Sequence, residues 1–172
     1  EAISGKTFAN YWLHAGSLTL SGVKMSKSLG NSVTIQDALN NYPAEVIRMF
    51  ILSSHYRNPI DYSPGAVDAA HRGWHRLIGP SITIKQFLKN KQYNQSSVKD
   101  FSSTINDTRT HFIDAMNDDF NAPKAIASLF DFSKSVNSLL SEHSSLDHTT
   151  LESIDNLYND LAGTVLGILP SE

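Results

Sequence analysis

Apolar side chains recur at helical spacing through almost all of the chain from Pro64 onward. Ser63 and Pro64 are typical of a helix start, because serine caps free amide groups and proline fits the first turn. A break or kink is predicted at Gly79-Pro80, since proline cannot donate the helical hydrogen bond. The later stripes contain Val98, Phe101, Ile105, Phe112 and Met116, then Ala125, Ile126, Leu129, Phe130, Val136 and Leu140, then Leu151, Ile154, Leu157, Leu161 and Val165. Short links between such stripes favour an antiparallel helical bundle.

The first 33 residues show a different, mixed pattern. Residues 4–16 predict a short helix with Ser4 as its N-cap, Gly16 as its stop and three aromatic residues on one face, Phe8, Tyr11 and Trp12. Residues 17–20 alternate polar and apolar side chains, which predicts a short strand that ends in a turn at Ser21-Gly22.

The next segment predicts two short helices and a turn-rich stretch. Thr34 and Asp37 have the spacing of a capping box, and Pro43 fits the first turn of a second helix. That helix has one apolar face, formed by Val46, Ile47, Phe50 and Ile51. Residues 55–63 are expected to be extended, and residues 90–97 to form a polar linker.

Composition excludes some classes of protein and indicates a charge asymmetry. The 172 residues contain no cysteine, which excludes disulfides and thiolate metal sites, and no apolar run is long enough to span a membrane. Residues 1–99 hold 11 basic and 5 acidic side chains, whereas residues 100–172 hold 3 and 12. This difference either directs a polyanion to the first part or is ordinary surface variation.

The segment KMSKS at residues 24–28 lies between a predicted strand and a predicted helix, with Gly22 and Gly30 on either side. Two ammonium groups and two hydroxyls suit phosphate oxygens, and the glycines permit backbone changes as a loop closes. The plain alternative is an exposed, soluble loop. The composition of this segment favours a phosphate-binding loop that stabilises charge developing on phosphorus.

This pentapeptide is the KMSKS signature of class I aminoacyl-tRNA synthetases, and the chain resembles that family here. The resemblance implies that Lys27 contacts the ATP phosphates as a catalytic residue and that Lys24 assists it. It also implies an ATP-binding loop, consisting of Lys24, Met25, Ser26, Lys27 and Ser28.

The flanking sequence resembles cysteinyl-tRNA synthetases in three blocks, residues 5–39, 44–63 and 112–137. The resemblance implies a mainly α fold: the end of a Rossmann-type catalytic domain with the KMSKS loop and a stem-contact region, followed by an antiparallel helical bundle. The expected boundaries are 1–33 for the catalytic end, 34–62 for the stem-contact region and 63–172 for the bundle that docks tRNA. Ala122 departs from the usual threonine of the family, which leaves Asn121 as the expected helix cap.

The resemblance implies activation of cysteine with ATP and Mg²⁺ and transfer of cysteine to tRNA(Cys). Members of the family also use Zn²⁺ and an HIGH-type motif. The only similar segment here is residues 13–17, and no metal ligand is assigned in this chain, which we expect to be an inactive fragment on its own. His14 is interpreted as a helix-end residue. A cytoplasmic monomer without membrane contact is expected, with an organellar form as an alternative.

Four arginines of the basic first part are candidates for binding the tRNA backbone: Arg48, Arg57, Arg72 and Arg76. Contacts of this kind supply affinity without sequence information. One alternative is that these arginines are solvated. Another is that Arg48 and Arg57 brace the fold by pairing with carboxylates such as Asp37 or Asp61. The acidic segment 100–172 is expected to pack or to stay clear of the RNA.

Two other groups of residues suggest weaker hypotheses. His71 and His75 have the spacing of a metal-binding helix, but no glutamate follows the first histidine, which favours a solvated helix face. Asp118 and Asp119 could form an acid/base pair, but adjacent residues do not face one another on a helix, which favours a capped turn.

Two other functions remain possible at this stage. One is the mycothiol-pathway ligase, which joins cysteine to an amino-sugar and has a similar loop but matches the segment HYRNPIDYS less well. The other is a non-catalytic module that binds a tRNA stem on its own.

Overall fold

The computed structural model describes residues 4–26, 28, 30–91, 93–94, 101–142 and 146–170. Helices dominate these residues, in agreement with the predicted mainly α fold. In chain order the elements are β1 Leu18–Leu20, β2 Val23–Lys24, α1 Ile35–Asn41, α2 Ala44–Leu52, β3 Ile60–Tyr62, α3 Pro64–Lys89, β4 Tyr93–Asn94, α4 Ser102–Asn117, α5 Ala122–Glu142, β5 Leu146–Asp147, α6 His148–Tyr158 and a π-helix Asn159–Val165.

Side-chain caps fix where several helices begin. Thr34 and Asp37 form the predicted capping box of α1, in which each side chain accepts a hydrogen bond from the other residue's backbone amide. The Ser63 side chain accepts from the amide of Ala66 at the start of α3, as its sequence predicts. Because such caps depend on residues close in sequence, their positions are predictable without tertiary information.

The helical part, α3 to the π-helix together with α2, is built around one apolar core. Its fully buried side chains include Tyr158, Phe112, Phe132, Leu77, Ile78, Ile84, Leu129, Leu151, Ile154 and Leu157. One polar network lies inside this core: the Ser133 hydroxyl donates to a backbone carbonyl, that of Leu77 or of Leu129, and lies 2.8 Å from the Tyr158 hydroxyl. Buried polar groups are tolerated when they are hydrogen-bonded in this way.

Three strands that come before α3 in the chain form a sheet in the order β2-β1-β3. Strands β1 and β2 form an antiparallel hairpin whose turn is Ser21-Gly22, and both turn residues have positive φ angles, 51° and 77°. Strand β3 pairs with β1 in parallel, with Leu18 opposite Ile60. The predicted strand and turn are therefore confirmed, and the hairpin leads directly into the KMSKS segment.

The helix predicted for residues 4–16 is absent, and this segment is irregular. The three aromatic side chains predicted to share one face of that helix are exposed, with 78% of Phe8, 86% of Tyr11 and 68% of Trp12 accessible. An isolated helix of this length is marginal in water unless its apolar face is buried, and these three side chains stay largely exposed. His14 is therefore not a helix-end residue, and Gly16 is not a helix stop.

Two further sequence interpretations need correction. Helix α3 continues through Gly79-Pro80, so the predicted break is absent, and it buries apolar side chains on both sides of Pro80, including Leu77 and Ile84. The other possibility, a kink at this point, stays a prediction. Within the predicted linker 90–97, Tyr93–Asn94 forms β4 and pairs in parallel with β5. Val98, predicted to begin the next apolar stripe, lies outside the described residues.

In the part of the chain that the structure describes, no helix combines the length and apolar character needed to cross a membrane.

Candidate functional site

The KMSKS segment begins at the last residue of the hairpin. Lys24 ends β2 with its side chain exposed, and the Met25 amide donates to the Leu18 carbonyl at 3.3 Å. Ser26 is half-buried and Ser28 is exposed. Lys27, for which the sequence predicts the main contact with phosphate, lies outside the described residues. The structure thus places four of the five predicted loop residues, and it places Lys24 where its ammonium can reach a ligand in solution.

Asn31 closes this loop onto its own beginning. Its side-chain oxygen accepts from the Ser26 amide at 2.9 Å, and its amide nitrogen donates to the Lys24 carbonyl at 3.3 Å. Within the loop, the hydroxyls of Ser26 and Ser28 are 2.7 Å apart. Our sequence interpretation assigned no role to Asn31. An asparagine directly after Gly30 is a turn signal that could have suggested one.

Asp61 binds the tip of the β1–β2 hairpin, which directly precedes the KMSKS loop in the chain. Its Oδ1 accepts from the Thr19 hydroxyl at 2.6 Å and from the Gly22 amide at 2.7 Å. The hydrogen bond from Thr19 has the larger effect and that from Gly22 the smaller, and together they lower the pKa of Asp61 below its usual value. Asp61 therefore does not pair with Arg48 or Arg57, as one alternative supposed, but supports the hairpin.

Gly16 allows the segment between α2 and β3 to lie directly against the start of β1. The Gly16 amide donates to the Tyr56 carbonyl at 2.7 Å. A Cβ atom at Gly16 would lie 2.1 Å from the Asn58 carbonyl oxygen, which leaves no room for any other residue. The glycine read from sequence as a helix stop is thus required for a close backbone approach.

Arg57 pairs with Asp119, in the turn between α4 and α5. Its Nε and Nη2 donate to the two carboxylate oxygens at 2.5 and 3.0 Å, and the Tyr56 hydroxyl donates to the same carboxylate at 2.7 Å. Hydrogen bonds from Arg57 and then Tyr56 lower the pKa of Asp119 to about 2. Bracing by Arg57 was foreseen, but the partner was not, because the two residues are 62 positions apart.

The other three candidate arginines lie on two helices. Arg48 is exposed on α2, with its guanidinium beside Gly167, where an added Cβ would lie 2.9 Å from Nη1. Arg72 is exposed on α3, and Arg76, one turn later, places its guanidinium 5.8 Å from the centre of the Phe130 ring. Whether any of them contacts RNA stays a prediction.

The two weaker hypotheses can also be placed. The Nε2 atoms of His71 and His75 are 3.0 Å apart on α3. Among the described residues there is no group of three or more His, Cys, Asp or Glu that could hold a metal ion. Asp118 and Asp119 lie in the predicted turn, and Asn121 accepts from the Lys124 amide as a cap.

Comparison with known proteins relates both the KMSKS hairpin and the helical part to one family. Residues 1–72 match the model of the class I (C) tRNA synthetase catalytic domain, and residues 111–170 match the DALR domain. The curated relatives named cysteine–tRNA ligase include those of Chlorobaculum tepidum, 41% identical over 172 residues, and Halalkalibacterium halodurans, 39% identical over 168 residues. The chain belongs to the cysteinyl-tRNA synthetase family. This confirms the resemblance read from the sequence.

The alignments cover nearly all of this chain, 99% and 98%, but only 33% and 35% of these two relatives. The chain therefore spans about a third of the length of the cysteine–tRNA ligases it matches. The hairpin and the KMSKS segment lie within the catalytic-domain match, and α5 and α6 lie within the DALR match. The domain boundaries at residues 33 and 62 stay predictions.

Proposed function

We propose that this chain is the part of a cysteine–tRNA ligase that supplies the ATP loop and helices that dock tRNA(Cys). The observation that carries the proposal is the position of KMSKS at the end of a β-hairpin, with Lys24 exposed and the loop closed by Asn31. A loop with fixed ends can carry ammonium groups onto a phosphate without rearrangement of the surrounding fold.

The proposed reaction has two steps. In the first, a carboxylate oxygen of cysteine attacks the α-phosphorus of ATP, the bond to the bridging oxygen of the β-phosphate breaks, and pyrophosphate leaves. In the second, a ribose hydroxyl at the end of tRNA(Cys) attacks the carbonyl carbon of the adenylate and AMP leaves. Lys27, assisted by Lys24, stabilises the negative charge that develops on the phosphates in the first step.

Mg²⁺ would accompany ATP, where it neutralises phosphate charge and orients the phosphates. The Zn²⁺ site that the resemblance implies is not assigned to residues of this chain. The sequence has no cysteine, and no group of three candidate ligands occurs in the described ranges. We therefore assign zinc ligands to the rest of the full-length enzyme and derive no step through the metal here. A cytoplasmic, monomeric enzyme remains our expectation.

Substitution of Lys27 in the full-length enzyme tests the function of the loop. Lys27→Ala should slow single-turnover formation of cysteinyl-adenylate about 100-fold, because loss of one preorganised contact to developing charge costs about 3 kcal/mol. Cysteine affinity should change little. Lys124→Ala, which removes an exposed ammonium on α5, is the matched control. An adenylation rate within about twofold of wild type in Lys27→Ala would contradict the role of the loop.

The choice of acceptor tests the remainder of the proposal. With ATP and cysteine, the full-length protein should charge tRNA(Cys) and should not join cysteine to an amino-sugar. Joining to the amino-sugar without charging of tRNA would identify a mycothiol-pathway ligase. Binding of tRNA with no adenylate formation would identify a non-catalytic module.

Two arginines are the best candidates for contact with the tRNA backbone. All four candidate arginines are exposed, but the charge of Arg57 is paired with Asp119 and the guanidinium of Arg76 lies over the Phe130 ring. In the full-length enzyme, Arg72→Gln and Arg48→Gln should each weaken tRNA binding and reduce the salt slope by about 1. Arg109→Gln is the control, since Arg109 belongs to the acidic part and pairs with Asp160 at 2.8 Å. An unchanged salt slope in both variants, with a lower melting temperature, would mean that these arginines are structural.

A further inference from the structure

The turn between α4 and α5 has an unusual backbone. Asp119 and Phe120 both have positive φ angles, 55° and 52°, although neither is glycine. Hydrogen bonds from the Phe120 amide to the Met116 carbonyl and from the Asn121 amide to the Ala115 carbonyl, each 3.0 Å long, hold this conformation. Two successive left-handed residues other than glycine are unfavourable, so the conformation must be maintained by its surroundings.

This turn aims the Asp119 carboxylate at the segment between α2 and β3. Three consecutive residues of that segment converge on it: Arg57 through two hydrogen bonds, Tyr56 through its hydroxyl at 2.7 Å, and His55 with its Nε2 at 3.8 Å. The fork of Arg57 spans both carboxylate oxygens, which fixes orientation as well as distance.

The same segment holds the sheet that carries the KMSKS loop. The Tyr56 carbonyl accepts from the Gly16 amide at 2.7 Å, and the chain continues into β3, which pairs with β1. From β3, Asp61 bonds the Thr19 hydroxyl and the Gly22 amide of the hairpin. A path of hydrogen bonds and short backbone segments therefore connects the α4–α5 turn to the residues directly before KMSKS.

This link is partly exposed but has a well-defined geometry. The side chains of Arg57 and Asp119 are 58% and 43% exposed, so solvent screens their charges, whereas the two-point contact fixes their relative orientation. We propose that Asp119 is a positioning residue that sets the orientation of the KMSKS hairpin relative to the helical bundle. The inference rests on the proposed function, because the orientation matters for catalysis only if the loop closes over ATP.

The full-length enzyme allows a matched test. Asp119→Asn removes the negative charge and one of the two acceptor oxygens for Arg57. The control, Asp118→Asn, changes the neighbouring exposed carboxylate, which lies 3.9 Å from the Lys124 ammonium. In Asp119→Asn the rate constant of single-turnover adenylate formation should fall about fivefold or more, while the amplitude, which counts active enzyme, stays at the wild-type value. Asp118→Asn should match wild type in both.

Three outcomes would overturn the inference. Equal rate constants in Asp119→Asn and Asp118→Asn would show that the link does not position the loop. A lower amplitude with an unchanged rate constant would show a purely structural role. If Asp119→Asn does not fold, Tyr56→Phe removes a single hydroxyl of the link, and a wild-type rate constant in that variant would count against the inference equally.

A readout independent of catalysis separates this inference from the proposed function. Amide hydrogen exchange over residues 17–24 should be faster in Asp119→Asn than in Asp118→Asn, with α5 unchanged. If wild-type enzyme forms no cysteinyl-adenylate, the proposed function fails. The inference then fails as well only if exchange over residues 17–24 is the same in the two variants.

Discussion

The segment around the KMSKS loop and the helical part are held together by different forces. Of the described residues before Val46, only Ala38 is buried. That region depends on strand pairing and on polar side chains such as Asp61 and Asn31. The helical part instead buries large apolar side chains from every one of its α-helices.

This contrast has a consequence for motion. Regions with few buried apolar contacts open at low free energy, whereas packed cores move as units. A loop that must close over a nucleotide and reopen is better placed in the first kind of region. In the proposed function, the helical part is the fixed surface against which the loop moves.

The largest expected effect is loss of core packing in the helical part. Phe132→Ala should lower the free energy of unfolding by about 3–5 kcal/mol, because the fully buried ring leaves a cavity. Chemical denaturation of the full-length enzyme measures this change. Phe120→Ala is the control, since that ring is 55% exposed, and it should cost below about 1 kcal/mol. Similar losses in the two variants would contradict the assignment of the core.

Loss of a polar contact in the loop region should affect the rate of adenylate formation more than the stability of the fold. Asp61→Ala removes the acceptor for Thr19 and Gly22, so the hairpin should lose its fixed position. Adenylate formation should slow about tenfold, equivalent to about 1.4 kcal/mol, with little change in melting temperature. Asp61→Asn keeps an acceptor oxygen and should lie between wild type and Asp61→Ala. A normal rate, or a melting temperature lowered as far as in Phe132→Ala, would remove the distinction between the two regions.

A smaller effect than that of Phe132→Ala is expected for the polar network within the core. Tyr158→Phe removes the hydroxyl next to Ser133 and should cost about 1 kcal/mol of unfolding free energy. Tyr11→Phe is the control, because that side chain is 86% exposed. Equal stability of Tyr158→Phe and wild type would indicate that the buried hydroxyl contributes nothing.

Tyr158 also predicts an alkaline pH dependence. Burial raises the pKa of its phenol from 10 to about 12, so the folded state keeps a proton that the unfolded state loses. The stability contributed by this group is complete below pH 10 and falls as the pH rises from 10 towards 12. The stability difference between wild type and Tyr158→Phe should shrink over that range, and a constant difference would contradict the burial of a neutral phenol.

Features fixed by residues close in sequence were predictable. The Thr34 capping box, the start of α3 at Ser63 and Pro64 and the Ser21-Gly22 turn each depend on a few adjacent residues. Most of the apolar stripes of the bundle were also predictable, because their spacing directly reflects the helical period. Val165, assigned to the last stripe, is an exception, since it lies in the π-helix and is 53% exposed.

Features that depend on distant residues were not. The pattern of residues 4–16 indicates which face of a helix would be apolar but not whether anything covers it, and the predicted helix is absent. Gly16 resembles a helix stop until Asn58 is seen against it. The link from Arg57 to Asp119 joins residues 62 positions apart, so no local signal could indicate it.

The difference between the KMSKS loop region and the helical part is tested most directly by hydrogen exchange of the full-length enzyme with and without ATP. Without ligand, amides of residues 18–31 should exchange faster than those of the core-facing helix α5. ATP should slow exchange over residues 18–31 in wild type, should have a weaker effect in Lys27→Ala, and should leave α5 unchanged in both. Equal protection of the two regions without ligand, or an ATP effect confined to α5, would contradict the account of a polar-held ATP loop on a fixed helical part.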